Sequence, residues 1–386
     1  MKPKSICSHP DIPEMSRRLE RLQAAMQQEG LDYYLCYDPG NIFYLTNFAN
    51  YVHERPFILL IPASGNMIFL MPSLEKLHVQ VRVVGELELL EYREFPAPAG
   101  QRWNDRLQEV LGSTGRVGIE SQCPISVMQA VPAEVVVTDL VDELRMIKSE
   151  YEVGRIAYTC ELLNEGHRKF MERATPGLPI IQLYKQISGE MLQQLLQDNI
   201  NTNLLNTKLN AVAQPPHMSV DPHNFTDIAM QLENGGPHVT IVNGTANGYG
   251  AEVERTFFLG EVPENARRPF DDMLEARALA YGLAVPGQCM SELDQRVNEF
   301  LRNKGYGDHM LHRTGHSFGV TDHEAPFLAE GYEREIKLGM VFSIEPAIYL
   351  EGIGGFRFSD TVLITETGNL KLTDAPETLE GLTLPI

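Results

Sequence analysis

The stretch Asn243–Thr256, N-G-T-A-N-G-Y-G-A-E-V-E-R-T, constrains this chain more than any other. It reads as two adjacent strands joined by a glycine-rich turn. Val239–Val242 is an apolar, largely β-branched run, and Gly244, Gly248 and Gly250 supply the bend. Glu252, Glu254 and Arg255 then fall inside the second strand, which runs on through Thr256 to Leu259. Residues two apart on a strand share a face, so Glu252, Glu254 and Thr256 point one way and Val253, Arg255 and Phe257 the other. Two carboxylates on one face of an apolar strand are costly unless a cation, metal or hydrogen-bond donor meets them. The pattern therefore means either a solvated edge strand or a site.

With 386 residues the chain is long enough for two domains. No apolar run approaches the roughly 20 residues that span a bilayer. The opening residues lack the apolar core of a secretory leader, so a cytoplasmic protein is expected. A net charge of -20 argues against nucleic acid or an anionic membrane as partner, since both reward basic patches. Five cysteines are scattered without a C-x-x-C spacing, which fits reduced thiols better than a disulfide framework.

Residues 13–29 read as a first helix, with Met15, Leu19, Leu22 and Met26 at helical spacing and Gly30 as its stop. A strand at Asp32–Cys36 follows, then paired strands at Phe57–Ile61 and Met67–Met71, a helix at Trp103–Leu111 and an extended piece at Val117–Glu120. This half predicts an α/β domain over residues 1–145. Ser149 and Glu152 form a capping box for a long helix reaching about Glu172. Ile180–Gln197 reads as another helix, Asn199–Asn234 as a long structured loop with strand pieces, and Ser291 as the cap of a later helix. Residues 146–386 form the second domain.

Four clusters carry residues suited to chemistry. Arg313-Thr314-Gly315-His316-Ser317-Phe318-Gly319 places a histidine between glycines, with His323-Glu324 seven residues on. Ser343-Ile344-Glu345-Pro346 ends an apolar strand. Gly355–Asp360 opens the final strand and reads, taken alone, as a solvated Arg357–Asp360 pair. Asp221-Pro222-His223-Asn224 lies in the long loop.

Together these motifs, with Gly248-Tyr249 and Glu254-Arg255-Thr256, resemble the pita-bread family, which includes creatinase, prolidase, aminopeptidase P and methionine aminopeptidase. The resemblance implies an α+β fold: a C-terminal pita-bread catalytic domain behind a smaller N-terminal α/β domain. Peptidases of the family are similar in binding two metal ions through Asp, Asp, His, Glu and Glu. The aligned positions here are Asn243, Glu252, His316, Glu345 and Ser359. A neutral Asn243 and a hydroxyl at Ser359 remove two of the anions that a metal pair needs. Glu252, His316 and Glu345 remain as ligands if one ion binds.

The resemblance to creatinase, the metal-free relative, carries His223, Glu254 and Glu345 over as catalytic residues. It also implies substrate contacts from Arg55, His53, His316, His323 and Tyr249. Phe327, counted with these substrate contacts, stands at the spacing where that relative has its second, more distal arginine. The expectation is a metal-independent C–N hydrolase, creatinase-like (an amidinohydrolase), with no cofactor, acting on a small guanidino, amidino or cyclic amidine compound that carries a carboxylate, which Arg55 would grip. Glu254 and Glu345 would cradle the planar cation, and His223 would move the proton. The alternatives are a single-metal Xaa-Pro dipeptidase or aminopeptidase-like hydrolase and an inactive binding protein of the same fold. A small-molecule substrate is expected, with neither nucleic acid nor membrane as partner. Family likeness also implies a homodimer in which the N-terminal domain covers the partner's site and brings Arg55 to it.

Overall fold

The computed structural model describes the chain except for Met1, residues 51–53, Thr114, Ile200, Thr226 and Ile228. His53, expected above to contact substrate, lies outside the described residues. The chain divides into two compact units, one of Ser8–Arg145, the other of Met146–Ile386 together with the chain start as far as Cys7. The first residues, read above with the N-terminal domain, thus pack with the C-terminal unit, where the Ile6 N–H donates to Gly154 O at 2.9 Å.

The smaller unit is built on six strands: β1 (Tyr33–Cys36), β2 (Ile58–Pro62), β3 (Ile68–Pro72), β4 (Glu88–Tyr92), β5 (Arg116–Ile119) and β6 (Glu134–Val137). They lie in the order β4-β3-β2-β1-β5-β6, antiparallel at β1–β2 and β2–β3 and parallel elsewhere. The helix Ile12–Glu29 starts where the Asp11 side chain accepts from Glu14 N, and it stops at Gly30, whose φ of 66° is the left-handed conformation glycine adopts without penalty. Leu35, Ile58, Leu60, Leu70, Leu107 and Ile119 form the core between sheet and helix Trp103–Leu111. Arg55 sits in this unit, with Nε 2.7 Å from Glu94 Oε1 and Nη1 2.6 Å from Glu54 Oε1.

The larger unit carries β7 (Lys208–Gln214), β8 (Gly235–Ala246), β9 (Tyr249–Leu259), β10 (Gly315–Ser317), β11 (Glu324–Leu328), β12 (Val341–Ile344), β13 (Ala347–Leu350), β14 (Gly354–Arg357), β15 (Ser359–Thr365), β16 (Gly368–Lys371) and β17 (Thr383–Leu384). Strands β13 and β14 form a separate ribbon. The others make one sheet with the path β11-β10-β12-β15-β9-β8-β7, β16 pairing β15 and β17 pairing β9. The glycine-rich hairpin is therefore β8–β9. Strand β9 is interior, and every residue of it is buried. The solvated-edge alternative for Glu252 and Glu254 does not hold.

Ser149 caps the helix Glu150–Arg173 through a capping box with Glu152. Ser291 is not a cap. Cys289 holds that place for the helix Met290–Asn303, and the Ser291 hydroxyl accepts from Gly331 N instead. The Arg357–Asp360 pair expected at a wet strand start is replaced by two buried pairs. Asp360 is fully buried, meeting Arg255 Nη2 at 2.9 Å and Arg277 Nη2 at 2.5 Å. Burial opposes its charge, but the two arginines outweigh it and hold the carboxyl down at about 2. This cluster ties β9 to β15 behind the site. Among the described residues no helix is long and apolar enough to cross a membrane.

Candidate active site

The carboxylates of β9 open into a cavity of ≈ 490 Å³ within the larger unit. Register brings together its walls and the side chains that support them from behind, Ser343, Ser359 and Tyr349 among the latter. Asn243 lies opposite Glu252 and Ile241 opposite Glu254 on β8–β9, while Ser359 of β15 lies opposite Glu254 on the other side. Strand β12 places Ser343 and, just past its end, Glu345, whose N–H donates to Thr314 O at 2.8 Å. Strand β10 places His316. The ribbon β13–β14 places Tyr349 and Arg357.

Three of these side chains converge. Glu252, His316 and Glu345 each offer a ligand atom, and those atoms lie within 4.8 Å of one another. His316 Nδ1 is 3.2 Å from Ser317 O, and a carbonyl only accepts, so Nδ1 carries the hydrogen and Nε2 a lone pair. Nε2 is buried, 3.4 Å from Glu345 Oε1, with no hydrogen-bond partner among the described residues. Burial pushes the His316 imidazole down to about 4, so the ring is neutral at pH 7. The hydroxyls of Ser343 and Ser359 meet the same oxygen, Glu252 Oε1, at 2.9 and 2.5 Å, which leaves Oε2 for a ligand. Burial, with Glu252 and Glu254 nearby, raises Glu345 well above the usual carboxylate range. A buried, neutral imidazole with an orphaned lone pair between two carboxylates is the donor set a divalent ion takes.

The same cavity does not fit a metal pair. Asn243 is neutral and its Oδ1 accepts from Asn210 Nδ2 at 3.1 Å. Ser359 contributes a hydroxyl already bonded to Glu252. The loss of the dinuclear set read from the sequence is thus visible as hydrogen bonds.

Glu254 has a different partner. Arg357 Nε lies 2.6 Å from its Oε2, and Nη2 donates to Oε1 at 3.2 Å. Burial opposes the Arg357 charge, but Glu254, Tyr349 and Glu345 outweigh it and hold the guanidinium above its ordinary value. Arg357 Nη1 also donates to Tyr349 Oη at 3.1 Å, and that hydroxyl lies 2.8 Å from His312 Nε2. His312 Nδ1 faces the Arg313 carbonyl at 2.9 Å, so Nε2 accepts the tyrosine hydrogen. The guanidinium expected at Glu254 from a substrate is supplied by the chain itself.

His323 lines the cavity with its ring stacked on His316, centroids 3.8 Å apart and planes 20° apart. His223 is exposed but lines the same cavity. Phe327 and Tyr249 are not walls of it. Phe327 lies under the Arg313 guanidinium. Tyr249 is buried with its ring edge-on to Tyr151 and its carbonyl accepting from Thr159 Oγ1. Sequence reasoning missed His312, Arg313 and Tyr349. His312 and Arg313 lie in an irregular run before β10, and Glu345-Pro346 separate β12 from β13 in another sheet, so no periodic signal pointed to them or to Tyr349.

Fold and site together define a pita-bread protein: an N-terminal α/β unit and a larger unit whose sheet carries a histidine–carboxylate cavity. The description "Metallopeptidase family M24" matches residues 154–366, and "Creatinase/Prolidase N-terminal domain" matches residues 18–147. The chain belongs to metallopeptidase family M24. It is 26% identical over 373 residues to the Xaa-Pro dipeptidase of Pyrococcus furiosus, covering 93% of this chain and 98% of that one. It is also 26% identical over 379 residues to the probable dipeptidase PepE of Mycobacterium tuberculosis, covering 96% and 97%. The prolidase of Thermococcus sibiricus shares the fold with a TM-score of 0.84 at 23% identity, over 98% of this chain and all of that one.

A metal-independent, creatinase-like amidinohydrolase, expected above, is overturned by these findings. The family is one of metallopeptidases, and these full-length relatives are named as dipeptidases. The physical reason lies at Glu254, whose charge Arg357 already answers, and at His316, whose lone pair faces two carboxylates.

Proposed function

We propose that this protein hydrolyses the amide C–N bond of small dipeptides of the Xaa-Pro kind, with one divalent ion held by Glu252, His316 and Glu345. The convergence of those three ligand atoms around the orphaned His316 Nε2 carries the reading. The names of the relatives support the substrate class. An ion bound there would polarise the scissile carbonyl and lower the pKa of water.

The chain's own residues do the rest. Ser343 and Ser359 fix the Glu252 carboxylate, and the Ser317 carbonyl fixes the His316 tautomer. The forked Arg357–Glu254 pair holds Arg357 and, through it, the Tyr349 hydroxyl. His223 and His323, both walls of the cavity, offer imidazoles to pass a proton to the departing nitrogen. A homodimer, which family likeness implies, belongs to the same proposal, and sedimentation velocity tests it.

The deciding experiment is metal analysis with turnover of glycyl-proline. About one manganese, iron, cobalt or zinc ion per chain is expected. Activity should be lost on chelation and restored by one of those ions. Turnover that survives exhaustive chelation would sink the proposal, as would a metal-loaded protein inert on every dipeptide tried.

A further inference from the structure

Arg313 is a half-buried wall of the same cavity. Among the described residues its side chain has no hydrogen-bond acceptor and no ion-pair partner. Its recorded contact is with an aromatic face: Cζ lies 4.4 Å from the centroid of the Phe327 ring. Phe327 is braced in turn by Tyr332, edge-on at 5.6 Å, and pairs in register with His316 across β10–β11. Arg313 is close enough to Glu345 for that carboxylate's charge to bear on it.

A guanidinium held over an arene by cation–π attraction leaves its N–H donors available to an acceptor. That is the arrangement that receives a carboxylate in a two-pronged grip. The cavity's other guanidinium, Arg357, is already committed to Glu254.

We propose that Arg313, seated on Phe327, grips the substrate's free carboxylate and so selects small amides with an acidic terminus over neutral ones. The proposal rests on the hydrolase reading but names a residue that reading does not need. A lost charge-assisted pair of this kind should weaken binding of the acid roughly ten-fold or more.

The test compares glycyl-proline with glycyl-prolinamide on the full-length, manganese-loaded protein and on Arg313→Gln, Arg313→Lys and Phe327→Ala. The wild type should favour the acid about ten-fold or more, mainly through KM. Arg313→Gln should bring the acid-to-amide ratio towards one at unchanged metal content. Arg313→Lys should restore part of the preference, and Phe327→Ala should weaken it by loosening the seat. A preference untouched in Arg313→Gln overturns the proposal and leaves the hydrolase reading standing. If neither compound is turned over with any metal, the hydrolase reading fails, and calorimetric binding of glycyl-proline decides the matter alone. Binding to the wild type that is lost in Arg313→Gln supports the grip. Equal binding to both, or none to the wild type, overturns it.

Discussion

Ser359 and Glu254 show how single side chains set this site. Ser359 has no charge to give, yet its hydroxyl, 2.5 Å from Glu252 Oε1, orients a carboxylate that faces His316. Partners of that sort are worth roughly 10- to 100-fold in metal affinity. Ser359→Ala should therefore weaken manganese binding about ten-fold, while Glu252→Gln should abolish it. Competition against a metal-sensitive dye measures both, and equal affinities in Ser359→Ala and wild type would refute the orienting role. Glu254 and Arg357 leave 4% and 5% of their side chains exposed, so removing one strands the other. Glu254→Gln should cost about 3–5 kcal/mol in a urea titration, and Glu254→Gln with Arg357→Met should recover part of it. A cost under about 1 kcal/mol would mean the pair behaves as a surface bridge. Much of this residue scale was legible beforehand. His316, Glu345, Glu252, Asn243 and Ser359 could be lifted out by motif order. What could not be read was pairing: Arg357 looks adjacent to Asp360 in sequence, but it closes on Glu254 of another strand.

Elements decide which of those side chains can meet. The helix Glu150–Arg173 was visible because capping-box chemistry is local, and the β8–β9 hairpin because glycines and β-branched runs are local too. The sheet order was not, because pairing between β15 and β9 joins residues about a hundred positions apart and leaves no periodic trace. Gly315 marks where this matters most. A Cβ there would sit 2.0 Å from Ser343 O, so β10 and β12 can approach only because the residue beside His316 has no side chain. Gly315→Ala should push the strands apart, at a cost of about 1–3 kcal/mol by urea unfolding. It should also weaken metal binding, since His316 and Ser343 move with their strands. Unchanged stability and affinity together would show that β12 yields without disturbing the site.

At the scale of the whole molecule, the acidic balance of -20 says little about stability, but the buried histidines say a good deal. His167 is buried with Nε2 3.2 Å from Thr240 Oγ1, and His238 is buried with Nε2 accepting the Glu233 N–H at 3.0 Å. Burial pushes them down to about 3 and about 4, from an ordinary value near 6.5. Between those limits the unfolded chain takes up protons that the folded chain refuses. Stability from these groups is therefore complete above pH 6.5 and declines as the pH falls towards 4 and then 3, at up to about 1.4 kcal/mol per unit for each ring. His312 and His316, also lowered to about 4 by burial, act in the same direction when no ion holds the site. Asp360 belongs to a separate window, because its depressed carboxyl withdraws stability only below about pH 4. Urea midpoints taken from pH 7.5 to 5.5 should accordingly fall, with a loss of about 2–3 kcal/mol from His167 and His238 alone. Since Thr240 Oγ1 donates to Arg255 O at 3.2 Å, His167 belongs to the packing behind β9 rather than to the cavity. His167→Gln should flatten the slope by about half of that loss while leaving metal content unchanged. A profile level across that range, or one rising as the pH falls, would show that these rings are not held neutral in the folded chain.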